Sequence, residues 1–151
     1  MKTDPDDFSV DDLAKQPRKT TAWTGVRNFQ ARNYMQEMKQ GDLALLYHSS
    51  CPAPGIVGVV SIASARAYAD PTQFDASSRY HEPRATPEAP RWLLVDVKLE
   101  RKIRLVPLEA LREVPALADL MILRKGNRLS ITPVTDKEWK ALEKRMLPVR
   151  A

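Results

Sequence analysis

The sequence predicts an α+β domain, a small and strongly bent mixed sheet or open β-barrel with flanking helices. Three observations carry that expectation. Leu43–Tyr47 and Ile56–Ile62 are short, almost wholly apolar runs joined by a loop with Pro52, Pro54 and Gly55, the pattern of two core strands rather than a helix. Arg91–Arg104 alternates, with Leu93, Val95, Val97 and Leu99 on one face and Trp92, Leu94, Asp96, Lys98 and Glu100 on the other. Apolar residues at helical spacing recur in Val26–Met38 and again at Trp139, Leu142 and Met146, so helices and strands share one chain.

Taken in order, Ser9 precedes Val10-Asp11-Asp12-Leu13 as a helix cap, its aspartates suited to the positive end of the helix dipole, and Pro17 ends that helix early. Thr20–Gly25 reads as a loop carrying Trp23. The helix expected over Val26–Met38 closes at Gly41 after Lys39-Gln40. Asn28 and Arg32 share a polar face of it, either solvated or a row of donors lining a groove. The central strand pair follows; its loop, Tyr47-His48-Ser49-Ser50, is either a plain polar hairpin tip or a scaffolded place for a small ligand group. Ala63–Pro90 has few apolar residues and four prolines, with Tyr68, Phe74, Tyr80 and His81 among Arg66, Arg79 and Arg84. A loop of that length is usually functional or mobile, and aromatics beside arginines suit stacking and phosphate contact or, alternatively, pin the loop down. After the strand at Arg91–Arg104 come a short helix over Pro107–Val114, an irregular apolar run to Leu123, and a basic turn, Arg124-Lys125-Gly126-Asn127-Arg128. Leu129–Val134 is expected as a further strand, and Thr135 with Glu138 forms a capping box opening the last helix, where Trp139 belongs to the core.

The 151 residues suit one domain, and no stretch approaches the roughly 20 apolar residues of a membrane span. The single cysteine, Cys51, builds no disulfide framework and fits a reducing, cytoplasmic setting. Net charge is +5 but uneven: residues 1–12 hold five acids against Lys2 alone, and the rest of the chain holds 23 bases against 14 acids. A basic body of this kind is either a solvated surface or a polyanion-binding one, with nucleic acid the commonest partner.

Catalytic chemistry finds little support. His48 and Cys51 are three apart with no second ligand pair, so no metal is expected, and neither Gly55–Gly58 nor Gly126-Asn127-Arg128 has phosphate-loop spacing. A hydrolase would use Ser49, Ser50 or Cys51 with His48 or His81 as base, without a visible orienting partner.

Longer motifs add a resemblance. Lys2-Thr3-Asp4-Pro5, Phe8-Ser9-Val10-Asp11-Asp12-Leu13, Trp23-Thr24-Gly25-Val26-Arg27-Asn28-Phe29-Gln30-Ala31-Arg32-Asn33 and Met38-Lys39-Gln40-Gly41-Asp42 stand in that order. They are followed by Tyr47-His48-Ser49-Ser50-Cys51, Pro54-Gly55-Ile56-Val57-Gly58, Tyr68-Ala69-Asp70-Pro71-Thr72-Gln73-Phe74-Asp75, Pro90-Arg91-Trp92, Val95-Asp96-Val97 and Leu123–Ser130. Together they resemble the EVE domain, a member of the PUA-like group that includes the YTH and ASCH domains. The resemblance implies a PUA-like bent barrel and a non-catalytic module, without cofactor, that binds DNA or RNA carrying a modified base, chiefly methylated or hydroxymethylated cytosine. By position it places Lys2, Thr3, Trp23, Asn28, His48, Ser49 and Trp92 around a pocket. Trp23 and Trp92 would flank the base, and Asn28, His48 and Ser49 would read its edge. It gives Arg27, Arg32, Arg84, Arg91, Arg124, Lys125 and Arg128 to the nucleic-acid backbone. Members of the family usually carry a short aromatic strand ahead of the first motif. Here Met1 directly precedes Lys2, so the expectation is one domain over residues 1–151 lacking that strand, with a start upstream or a truncated chain and an exposed sheet edge.

Overall fold

The computed structural model describes residues 1–146, and the last five residues of the expected 1–151 domain lie outside the described residues. Strands β1 (Lys2–Thr3), β2 (Thr20–Ala22), β3 (Leu43–His48), β4 (Gly55–Ile62) and β7 (Asp96–Pro107) form one mixed sheet in the order β1-β3-β4-β7-β2. β1 runs parallel to β3, and the other neighbours are antiparallel. β5 (Tyr68–Ala69) and β6 (Leu93–Leu94) form a separate ribbon. Helices α1 (Val10–Lys15), α2 (Phe29–Glu37), α3 (Leu108–Arg112) and α4 (Asp136–Glu143) pack outside.

β3 and β4 are largely apolar because the sheet is covered on both faces there. On one side Leu46, Val57, Val60, Ile62, Val97 and Leu99 meet Val10, Leu13 and Met35 of α1 and α2. On the other, Leu45, Tyr47, Ile56, Val59 and Ile103 meet Leu111 of α3 and Leu142 of α4. β7 serves both layers by changing its phase. Val59 and Val60 pair with Arg101 and Leu99, and Ile56 and Gly58 pair with Val106 and Lys102, so β7 carries surplus residues at Glu100 and again between Lys102 and Val106. Such bulges raise local twist and bend a strand. They curl the sheet into a half-barrel, bringing its two edge strands, β1 and β2, toward each other.

Local chemistry fixes the helix ends. Ser9 and Asp12 form a reciprocal capping box on α1, as do Thr135 and Glu138 on α4. α2 starts three residues later than its apolar spacing suggests. Gly25 sits at φ +86°, and the Asn28 side chain accepts from Ala31 N–H at 3.0 Å, so Asn28 is a cap and not a member of the helix.

Two other expectations change. Thr20–Ala22, read as loop, is a strand, because its backbone pairs with Asp96–Lys98. Leu129–Val134, read as a strand, is irregular. Pro133 has no N–H to give a ladder, and the segment is held by Lys2 N–H donating to Ser130 O at 2.8 Å and by burial of Ile131. The segment 63–90 is tied down from within. Buried Gln73 donates to Asp70 O and Trp92 O, each at 2.7 Å, and accepts from the Arg91 and Trp92 amides, each at 2.9 Å. All four of its hydrogen-bonding positions are used, in place of a strand partner.

Candidate functional site

A half-open cavity of about 400 Å³ lies where the curled sheet leaves a gap between its edges. β1 supplies Lys2 and Thr3, β2 supplies Thr21 and Ala22, and the turns that follow supply Asp4, Asp7, Phe8 and Trp23–Val26. Arg79 and Tyr80 close one side, and Ser130 of the C-terminal segment another. A cavity of this size admits a nucleobase or a similar small ligand.

Its walls are fixed by a buried anchor. Asp70, with no exposed surface, accepts from Gly25 N–H at 2.8 Å, Thr72 N–H at 2.8 Å, the Thr72 hydroxyl at 2.5 Å and Arg27 Nη1 at 3.1 Å. Burial alone would raise its carboxyl, but the hydrogen bonds from Thr72, Gly25 and Arg27 outweigh it and hold the group below the ordinary aspartate range. Arg27 in turn donates to Tyr80 O through Nε at 3.2 Å and Nη2 at 2.8 Å, which sets the Tyr80 ring against Gly25. A Cβ on Gly25 would stand 2.6 Å from Tyr80 Cζ, so this position needs glycine for contact as well as for its positive φ.

Inside the cavity the chemistry is mixed. Trp23 is 8% exposed and meets Phe8 edge to face, ring centroids 6.4 Å apart. Lys2 is the cation of the floor, its pKa lowered by partial burial. The Thr3 hydroxyl donates to Phe8 O at 2.8 Å, which leaves its oxygen as an acceptor toward the cavity. At the mouth Asp7 pairs with Arg79 at 3.5 Å, and Arg79 Nη2 also donates to the Tyr80 hydroxyl at 2.6 Å.

Of the seven side chains expected around one pocket, Lys2, Thr3 and Trp23 line this cavity and the other four do not. Asn28 is spent on capping α2. His48 Nε2 accepts from Val10 N–H at 3.1 Å, and burial lowers its pKa, so the ring is a neutral cap on α1. The lone pair of His48 Nε2 is thereby occupied, and the Ser49 hydroxyl points to Thr3 O at 3.5 Å and makes no bond to His48. Trp92, 8% exposed, is stacked against Phe29 with ring centroids 4.7 Å apart. Among the described residues no group of three His, Cys, Asp or Glu side chains gathers as a metal site.

The cations divide similarly. The donors of Arg27 are taken up by Asp70, Thr72, Tyr80 O and Val26 O, so it holds the site together and is not free to contact a nucleic-acid backbone. Arg32 Nη1 donates to Arg91 O at 2.9 Å, and Arg84 pairs with Glu82 at 2.9 Å while staying largely exposed. Arg124, Lys125 and Arg128 are exposed on a turn that ends next to Ser130. Asp4, Asp7, Gly25, Arg79 and Tyr80 were absent from the expected set. Their signals were present, as Asp4 in the first motif of the resemblance, Asp7 in an acidic start, a glycine in a polar turn, and an arginine beside a tyrosine in the long loop.

A curled five-stranded half-barrel with a cavity between its edges and helices outside defines a PUA-like domain. The EVE domain model matches residues 1–145, and the chain belongs to the EVE family. It is 40% identical over 140 residues to human thymocyte nuclear protein 1, which covers 87% of this chain and 62% of that protein, so the chain spans less than two thirds of that relative. Among solved structures, a Pseudomonas syringae protein matches with a TM-score of 0.89 at 41% identity, covering 96% of both chains. The human THYN1 protein in complex with DNA containing 5-methylcytosine matches with a TM-score of 0.91 at 37% identity, covering 96% of this chain and 94% of the other.

Proposed function

We propose that this domain is a non-catalytic reader that takes a 5-methylcytosine of DNA, flipped out or unpaired, into the cavity between β1 and β2. The observation that carries the reading is the cavity itself, which sets an apolar aromatic wall opposite groups of both charges. The human relative crystallised on DNA containing 5-methylcytosine supports the choice of ligand. Cytosine presents an amino donor at N4 and acceptors at N3 and O2, and carboxylates accept from that amine. Asp4 and Asp7 supply the carboxylates, Lys2 supplies the donor, and the methyl group at C5 lies against Trp23, Phe8 or Val26. The His48 ring spent on capping α1 and the Ser49 hydroxyl turned to Thr3 O support a role without bond breaking.

The magnitudes set what kind of selectivity follows. Burying one methyl contributes about 0.8 kcal/mol, roughly a fourfold preference over unmodified cytosine. Thymine, which offers an O4 acceptor where cytosine offers the amine, would set an acceptor against carboxylates and is rejected far more strongly. Exposed Arg79, Arg84, Arg124, Lys125 and Arg128, with half-exposed Arg91, are the phosphate contacts of this reading.

The test is a titration of intrinsic tryptophan fluorescence with matched oligonucleotides carrying 5-methylcytosine, cytosine or thymine at one position, single- and double-stranded, at two salt concentrations. The expected result is a severalfold preference for the methylated strand, much weaker binding of the thymine strand, and an affinity that falls with salt by a log–log slope of about −0.9 per phosphate contacted on duplex. Binding blind to modification would leave a general nucleic-acid binder. Tighter binding of the matching RNA would move the ligand from DNA to RNA, and no binding at low salt would overturn the reading.

A further inference from the structure

Six side chains form a row of rings and cations that runs from the cavity wall to the surface. Arg79 Cζ lies 4.8 Å from the Tyr80 ring centroid, Arg27 Cζ lies 5.3 Å from Tyr80 and 5.6 Å from Trp92, and Arg32 Cζ lies 4.7 Å from Phe29, which stacks on Trp92. The row starts at the cavity wall, Arg79 and Tyr80, and ends on the surface at Phe29, which is 50% exposed. One exposed phenylalanine is ordinary on a protein surface. This one differs in being held in place, by a ring on one side and a guanidinium nearby, with Arg32 itself pinned to Arg91 O and Asn33. Trp92 does not line the cavity and its ring is covered by Phe29, and its Nε1–H has no partner among the described residues. The ring of the row that a base meets is therefore Phe29.

We infer that Phe29, with the Arg32 guanidinium, is the platform on which a DNA nucleotide flanking the captured base stacks. The inference rests on the base-capture reading above and adds a second contact to it. Extruding a base leaves its neighbours with lost stacking, and an aromatic face beside an arginine replaces that contact without regard to sequence. Arg91, half-exposed beside the platform, and Arg79, at the cavity end of the row, complement the phosphates on either side. The platform therefore contributes affinity for a strand and not selectivity for the methyl group.

The experiment uses the full chain and single-stranded oligonucleotides with one 5-methylcytosine and 2-aminopurine placed in turn at each neighbouring position. Binding is expected to quench 2-aminopurine at one flanking position by stacking. Phe29→Leu keeps an apolar contact on Trp92, and Phe29→Trp keeps a ring. Phe29→Leu is expected to abolish that quench and weaken strand binding about fivefold or more, with the ratio of methylated to unmethylated affinity unchanged, and Phe29→Trp to retain both. Quenching at no flanking position, or full strand affinity in a folded Phe29→Leu protein, would overturn the platform and leave base capture intact. A parent protein that binds no oligonucleotide would overturn both readings.

Discussion

Asp70→Ala is expected to lower the melting temperature by about 6–12 °C and to open the cavity wall. The carboxylate is wholly buried and accepts from Gly25, Thr72 and Arg27. Removing one partner of a buried charge pair typically costs 3–5 kcal/mol, because the other charge is left uncompensated. Arg27 keeps 21% of its side-chain exposure and so finds some water, which puts the cost near the lower end, about 3 kcal/mol. In a chain of this size each kcal/mol moves the melting point by about 2–4 °C. The damage is directed as well as large. Arg27 released from Asp70 no longer fixes Tyr80 O, so Tyr80 loses its seat against Gly25. Differential scanning calorimetry with the DNA titration checks both parts. A variant that melts within 2 °C of the parent, in line with no more than ~1 kcal/mol lost, would show that Asp70 is not the anchor.

The same carboxylate sets an acid limit. Its folded pKa lies below the ordinary value, so the charged form is stabilised in the fold. The stability it contributes is complete above the unfolded value, about 3.9, and is lost as pH falls through the lower folded value. Acid unfolding of the parent therefore steepens below about pH 4, and Asp70→Asn, which has no charge to lose, removes that portion of the slope.

The scaffold was legible because burial writes directly into residue type. Leu43–Tyr47 and Ile56–Ile62 are almost wholly apolar since both faces of the sheet are covered, and the Thr135–Glu138 cap follows from short-range hydrogen bonding. Leu129–Val134 has strand composition, while what decides is whether a neighbouring edge offers a ladder; here the segment is met by a single backbone bond from Lys2 N–H to Ser130 O among the described residues. The site was less legible for a related reason. Trp23, Trp92, Asn28 and His48 all look like ligand contacts in sequence, being polar or aromatic in polar surroundings. Whether such a side chain faces a cavity depends on groups far away in the chain for His48, which caps Val10 N–H, and for Trp92, which Phe29 covers, while Asn28 is spent locally on the Ala31 amide. Asp70 and Tyr80, which set the walls, lie about 45 and 55 residues from Gly25, and no spacing rule links them.

Trp23 bears the largest functional prediction. It is the one tryptophan that lines the cavity, and Phe8 holds its ring from the side. Trp23→Ala is a poor probe, since emptying that much core volume costs about 3–5 kcal/mol and threatens the fold. Trp23→Leu keeps the apolar filling and removes the aromatic face. Stacking on such a face contributes about 1–3 kcal/mol per base, so Trp23→Leu is expected to weaken binding of the 5-methylcytosine strand by roughly 5- to 150-fold. The methyl preference should shrink with it, because the base loses the surface that fixes its depth. This pattern is opposite to that of Phe29→Leu, which weakens the strand and spares the preference, so the two variants read separately the captured base and its neighbour. A folded Trp23→Leu protein with parental affinity and parental preference would remove the base from this cavity altogether.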